Sequence, residues 1–139
     1  MSMSSGLEGL RVLIAEDIFL IAELLAAPLK ERGCQVVGPI SKLERGLDLA
    51  RDVPLDGAIL DVNLDGKLCF PIAAVLSERG VPFFFVTGYS TDIFPARYRG
   101  FPCLLKPFDA ADLVEMVNAR IRARACPKKA WRRGRKKIS

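Results

Sequence analysis

A small set of residues in this 139-residue chain has types and spacing suited to one kind of chemistry. Glu16 and Asp17 are adjacent carboxylates, and Asp61 closes the run Ile59-Leu60-Asp61, with Asn63 two residues on. Thr87 follows four apolar residues, Phe83 to Val86, and Lys106 precedes Pro107. Carboxylates held a few ångströms apart repel, so they either take up protons or neutralise their charge with a cation. Hard oxygen donors with open positions suit Mg²⁺, which keeps waters and binds beside a phosphate. A carboxylate can also act as a nucleophile and form an aspartyl phosphate, and Asp61 is the candidate for that role. Phosphoryl transfer mainly requires positioning and neutralisation of the equatorial oxygens. Mg²⁺, the Lys106 ammonium and the Thr87 hydroxyl would share that task. Singly, each residue has an ordinary reading as a helix cap, a turn or a loop; the joint pattern does not.

The elements that must position these residues alternate. Short apolar runs at Arg11–Ala15, Cys34–Gly38, Asp56–Leu60, Pro82–Val86 and Pro102–Leu105 predict five strands. Between them lie helical stretches from Asp17 to about Glu31 (closed by Gly33), from an N-cap at Ser41 to Arg51, and from Phe70 to Arg79. Glu44 would complete a capping box with Ser41. A last helix opens at Asp109, with Leu113, Val117 and Ile121 at helical spacing. Pro28 is expected to kink or close the first helix. The segment Gly88–Phe101, with Pro95 inside it, allows at most a short helix. Apolar runs without polar alternation predict strands buried on both faces, hence a single α/β domain with a doubly wound, five-stranded parallel sheet. In such folds function gathers outside the carboxyl ends of the strands, where the chemistry-bearing residues all fall.

In order and position, these residues resemble the receiver domains of bacterial two-component response regulators, over about residues 9 to 124. The resemblance implies a flavodoxin-like sheet, strand order 2-1-3-4-5. It implies that Glu16, Asp17, Asp61 and the backbone carbonyl of Asn63 hold Mg²⁺, and that Asp61 accepts a phosphoryl group that Thr87 and Lys106 contact. It also implies a cis peptide at Lys106-Pro107. The donor would be a histidine kinase or a phosphotransfer protein, docking on the first helix at positions among Ile18, Leu20, Ile21 and Leu25. Two departures stand out. No proline follows the acceptor, and Cys103 occupies the position, three residues before the lysine, where receivers usually carry a Tyr or Phe switch. Phe85-Val86-Thr87-Gly88-Tyr89 looks like the atypical "FATGUY" receivers, which pair with HWE/HisKA2-type kinases. Ordering of Gly88–Phe101 is then the expected output switch, with Tyr89 modulating the mouth of the site and Cys103 a core thiol.

Composition sets the outer bounds. The chain has no histidine, which excludes Ser-His-Asp and Cys-His catalysis and HExxH zinc sites; any phosphohistidine must come from a partner. Four cysteines without metal-ligand spacing suggest free thiols in a reducing compartment. The start resembles no signal peptide, and the longest apolar run, Ile18–Leu29, would span about 18 Å, too short for a membrane core. A soluble, cytoplasmic, stand-alone receiver is expected, divided into a flexible stretch 1–8, a domain 9–125 and a basic tail 126–139. The net charge of +5 hides an asymmetry, because all ten charges after residue 119 are basic and the rest of the chain is acidic by five. Residues 120–139 are the one place where nucleic acid or another anionic partner would bind. A haloacid-dehalogenase-type phosphatase would want an Asp where Asn63 stands. A flavin module would want a hydroxyl- and glycine-rich loop after the first strand, and a DNA-binding regulator a helix-turn-helix that the tail is too short to hold. Receivers often dimerise, so a homodimer is a further expectation.

Overall fold

A computed structural model describes residues 6–88 and 93–124. The apolar runs become strands because burial on both faces removes them from water: β1 (Arg11–Ala15) is buried from its second residue on, and β3 (Gly57–Asp61) and β6 (Phe83–Thr87) throughout. With β2 (Gln35–Ile40) and β7 (Cys103–Leu105) they form one sheet of order β2-β1-β3-β6-β7, every pairing parallel. Strands β4 (Asn63–Leu64) and β5 (Lys67–Leu68) form a separate antiparallel hairpin. The doubly wound α/β sheet expected from the sequence is therefore present, with the hairpin as an addition.

Helices cover both faces. Residues of even number in β1 and odd number in β3 (Val12, Ile14, Ile59) face α1 (Phe19–Glu31) and α4 (Ala110–Val117). Their neighbours Leu13, Ala58 and Leu60 face α2 (Leu43–Asp52) and α3 (Phe70–Arg79). This alternation is the two-residue period of a strand applied to two cores. The second core is ring-rich: Phe85 meets Phe70 and Phe94 edge-on, and Tyr98 stacks on Phe70 at 5.6 Å. In α4, Asp109 caps the first turn by accepting the Asp112 N–H at 2.8 Å, and the chain continues through a π-helical turn, Asn118–Arg122. That turn seats Ile121 against Gly57, where an added Cβ would lie 2.5 Å from the Ile121 side chain.

Several local expectations are corrected. β2 runs to Ile40, through a cis Gly38–Pro39 peptide, because its edge position tolerates the missing Pro39 donor. α1 begins at Phe19, and Pro28 does not end it; it ends where Gly33, at φ +90°, packs too close to Glu8 for a side chain. α2 is preceded by Lys42, with no side-chain cap, so the Ser41–Glu44 capping box does not form; the Glu44 carboxylate is taken by Lys67 of the hairpin at 2.8 Å. The packed unit starts before residue 9, because Leu7 is fully buried and its carbonyl accepts from the Cys34 thiol. Between Gly88 and Phe101, the described residues include the 3₁₀ turn Ala96–Tyr98. The basic stretch 126–139, Cys126 and Tyr89 lie outside the described residues. Among the described residues no helix is long and apolar enough to cross a membrane.

Candidate functional site

Parallel register brings the strand ends level. Asp61 pairs with Val86, and Thr87 pairs with Leu105, so Asp61, Thr87 and Lys106 fall on one edge. The Lys106 N–H donates to the Thr87 carbonyl at 2.9 Å, which ties the ends of β6 and β7 together just before the cis Lys106–Pro107 peptide. Glu16 leaves β1 with its own N–H on the Ile40 carbonyl at 2.9 Å. Its Oε2 accepts the Ile18 N–H at 3.1 Å, so one oxygen steers the entry to α1 while the other stays in the pocket.

The pocket holds more negative charge than it neutralises. One carboxylate oxygen from each of Glu16, Asp17 and Asp61 lies within 4.8 Å of the others. Glu16 is 2% exposed and Asp61 4%, and Thr87 is fully buried. Among the described residues one cation faces them: Lys106 Nζ lies 3.3 Å from Glu16 Oε1 and 3.5 Å from Asp61 Oδ1. Glu16 Oε1 is buried and receives no aligned hydrogen bond, so the Lys106 pairing there is Coulombic only. Burial, and then the neighbouring Glu16 carboxylate, push the Asp61 acid up from 3.8 to about 7, against a smaller pull from Lys106. Three hard-oxygen donors around one under-neutralised pocket are the donor set that a divalent cation such as Mg²⁺ takes. The residues therefore fit the metal that the family resemblance implies.

The remaining candidates divide. Asn63 opens the hairpin, and its Oδ1 accepts the Gly66 N–H at 2.8 Å, so its side chain serves the turn rather than the pocket. Cys103 starts β7 opposite Phe85, half-buried against the ring cluster, its thiol raised by burial. At the head of α1, Ile18 (the residue before it) and Leu20 are exposed and Ile21 is half-buried, but Leu25 is fully buried and cannot be a docking position. The buried stripe is Ala22, Leu25, Ala26 and Leu29, so the free apolar surface includes Phe19, 76% exposed, and Leu24 instead. The two alanines mark that stripe in the sequence, since small residues let a helix lie close to a sheet. The sequence reading also missed Asp65, whose N–H donates to Asp17 Oδ2 at 2.9 Å. The Asp65-Gly66 pair, a strong signal for a two-residue hairpin turn, announces that element.

Sheet order and the helices on both faces define a flavodoxin-like α/β domain. The chain is 37% identical to SdrG from Sphingomonas melonis Fr1, whose solution structure matches with a TM-score of 0.71 over 83% of this chain and 97% of that one. It is 32% identical over 112 residues to the transcriptional regulatory protein PdtaR of Mycobacterium tuberculosis, covering 78% of this chain and 55% of that protein. The chain thus spans about half the length of the curated relatives it matches. A response regulator receiver protein from Sinorhizobium medicae WSM419 shares the fold at a TM-score of 0.69 and 22% identity, over 81% of this chain and 94% of that one. No protein-family model matches the chain. The chain belongs to the response regulator receiver family.

Proposed function

We propose that the domain accepts a phosphoryl group on Asp61 from the phosphohistidine of a histidine kinase or phosphotransfer protein, with Mg²⁺ bound by Glu16, Asp17, Asp61 and the Asn63 carbonyl. The observation that carries this reading is the buried Asp61 carboxylate beside two further carboxylates and 3.5 Å from the Lys106 ammonium. An Asp61 oxygen attacks phosphorus, the new O–P bond forms as the P–N bond breaks, and the electron pair leaves on the donor's imidazole nitrogen. When bound, a divalent cation would supply neutralisation, holding Asp61 ionised near neutral pH and screening the incoming phosphoryl oxygens. Lys106 and Thr87 are placed on the same edge to contact those oxygens. The test is incubation with acetyl phosphate and Mg²⁺, followed by intact mass. Gain of one phosphoryl group by the wild type and none by Asp61→Asn supports the reading; labelling that survives the substitution refutes it.

Docking is assigned to α1. Ile18, Phe19, Leu20 and Leu24 are exposed apolar residues, and a groove of about 360 Å³ runs from Leu24 and Pro28 to Phe108 at the start of α4. A kinase helix with an apolar face would cover this surface. Leu20→Lys is expected to slow transfer from a cognate kinase, of HWE/HisKA2 type on the sequence resemblance, and to spare labelling by acetyl phosphate. Equal loss in both assays would remove α1 as the docking site. The setting of such a relay is the cytoplasm.

A further inference from the structure

The hairpin between β3 and α3 pairs with no strand of the main sheet, yet its backbone reaches the acidic pocket. We propose that this hairpin is a positioning element for the metal site: the Asp65 amide fixes the Asp17 carboxylate, and the hairpin's shape and divalent-metal affinity are thermodynamically linked. This inference rests on the reading of Glu16, Asp17 and Asp61 as metal ligands.

Three observations carry it. The Asp65 N–H donates to Asp17 Oδ2 at 2.9 Å, occupying one oxygen and orienting the other. Donors in this outer position tune metal affinity strongly, because they fix the ligand's direction and stabilise its charge. The direction of that N–H is in turn set by the turn. Asp65 and Gly66 have φ of 52° and 87°, the double positive φ of a type I′ loop, and the Asn63 side chain locks it by accepting the Gly66 N–H. Finally, the hairpin is held from both sides. Leu64 is buried beneath it, while Lys42 pairs with Asp65, and Glu44 of α2 with Lys67. The hairpin therefore joins the pocket to the start of α2, on the side of the sheet order away from Lys106.

Reciprocity follows from linkage: what the hairpin does for the metal, the metal does for the hairpin. The test uses Mg²⁺ and Mn²⁺ binding by calorimetry on the full chain, together with amide hydrogen exchange at Asp65. Gly66→Val forces a β-branched residue into positive φ, yet its added Cβ meets no neighbouring atom, so any effect comes from the backbone. Asp65→Val disturbs the same turn, whereas Asp65→Asn tolerates positive φ and keeps the N–H. Both valine variants are expected to bind metal roughly tenfold more weakly, the scale of a lost hydrogen bond to a charged group. Asp65→Asn should stay within about twofold of wild type, because the exposed Lys42 pair it removes is worth little. Metal should slow exchange of the Asp65 amide in the wild type. Thermal melts check that each variant is folded. Wild-type affinity in both valine variants, or equal weakening in Asp65→Asn, would overturn the inference. A wild-type chain that binds no divalent metal would instead sink the site reading, and this inference with it.

Discussion

Asp61 and Asp65 are four residues apart, and the fold moves their acidity in opposite directions. Asp61 is buried beside like charge and is pushed up to about 7. Asp65 is exposed on the hairpin, where a hydrogen bond from Lys42 holds its carboxyl below the usual value; Lys67 does the same for Glu44. The two regions use the same residue types for different ends. In the pocket, low dielectric makes every uncompensated charge expensive, so Asp61 is pushed toward its protonated form and Lys106 sits beside the carboxylates. On the rim, water screens the pairs, and each contributes little to stability.

The largest effect is expected from Lys106, the cation that faces the pocket's carboxylates. Lys106→Met leaves Glu16 and Asp61 buried without a counter-charge, the situation in which removal of one partner from a buried pair costs several kcal/mol. Because Lys106 retains some exposure, about 2 kcal/mol is expected in urea unfolding without divalent metal. Labelling by acetyl phosphate should fall at least tenfold, as about 1.4 kcal/mol of lost stabilisation would produce. A variant as stable and as readily labelled as wild type would erase the distinction between pocket and rim.

A smaller effect of opposite sign is expected from Asp61→Asn, which removes a buried charge and should stabilise the metal-free domain. The pH dependence sharpens this. Folding raises the Asp61 pKa from 3.8 to about 7, so across that window the folded state holds a proton that the unfolded chain has released. Its contribution is fully present below 3.8 and is lost as pH rises through about 7. Metal-free wild type should therefore lose stability from about pH 5 to pH 7.5, while Asp61→Asn should not. Saturating Mg²⁺ should remove the decline by favouring the ionised form. The rim carboxylates act oppositely, and only on the acid side of the ordinary carboxylate range. Urea midpoints at the two pH values, with and without Mg²⁺, measure this directly, and parallel curves for the two proteins would contradict the assignment.

Much of the pocket was legible in the sequence because a parallel sheet with both faces buried needs continuous apolar runs, and whatever ends such a run lands on the functional edge. Ile59-Leu60-Asp61 and Val86-Thr87 are read in this way without knowledge of register. The rim was not legible for a physical reason. Its decisive interaction is a backbone N–H of Asp65 on a side chain 48 residues away, and no residue type announces a backbone donor. The hairpin itself is announced only by Asp65-Gly66, the two residues of its turn. The face of α1 was misjudged at Leu25, since leucine at 24 and 25 gives no hint of which points inward. The alanines at 22 and 26 do. Burial of Phe94 and Tyr98 was hidden behind Pro95, because it depends on Phe70, far away in the chain, which Phe94 meets edge-on and Tyr98 stacks against.

The smallest expected effect tests the rim from its outer side. Lys67→Ala removes the ion pair with Glu44, both partners being well over half exposed, and leaves the Asp65–Asp17 hydrogen bond untouched. Screening and the entropy of two long side chains nearly cancel the Coulombic gain of such a pair. Thermal stability should stay within error of wild type at moderate ionic strength, and metal binding and labelling should be unchanged. Glu44, freed of its partner, should titrate back toward an ordinary carboxylate value, which side-chain NMR reads without reference to stability. If Lys67→Ala weakened metal binding as much as a distorted turn does, the hairpin's orientation would depend on its outer charges. The contrast between a costly pocket and an inexpensive rim would then need to be redrawn.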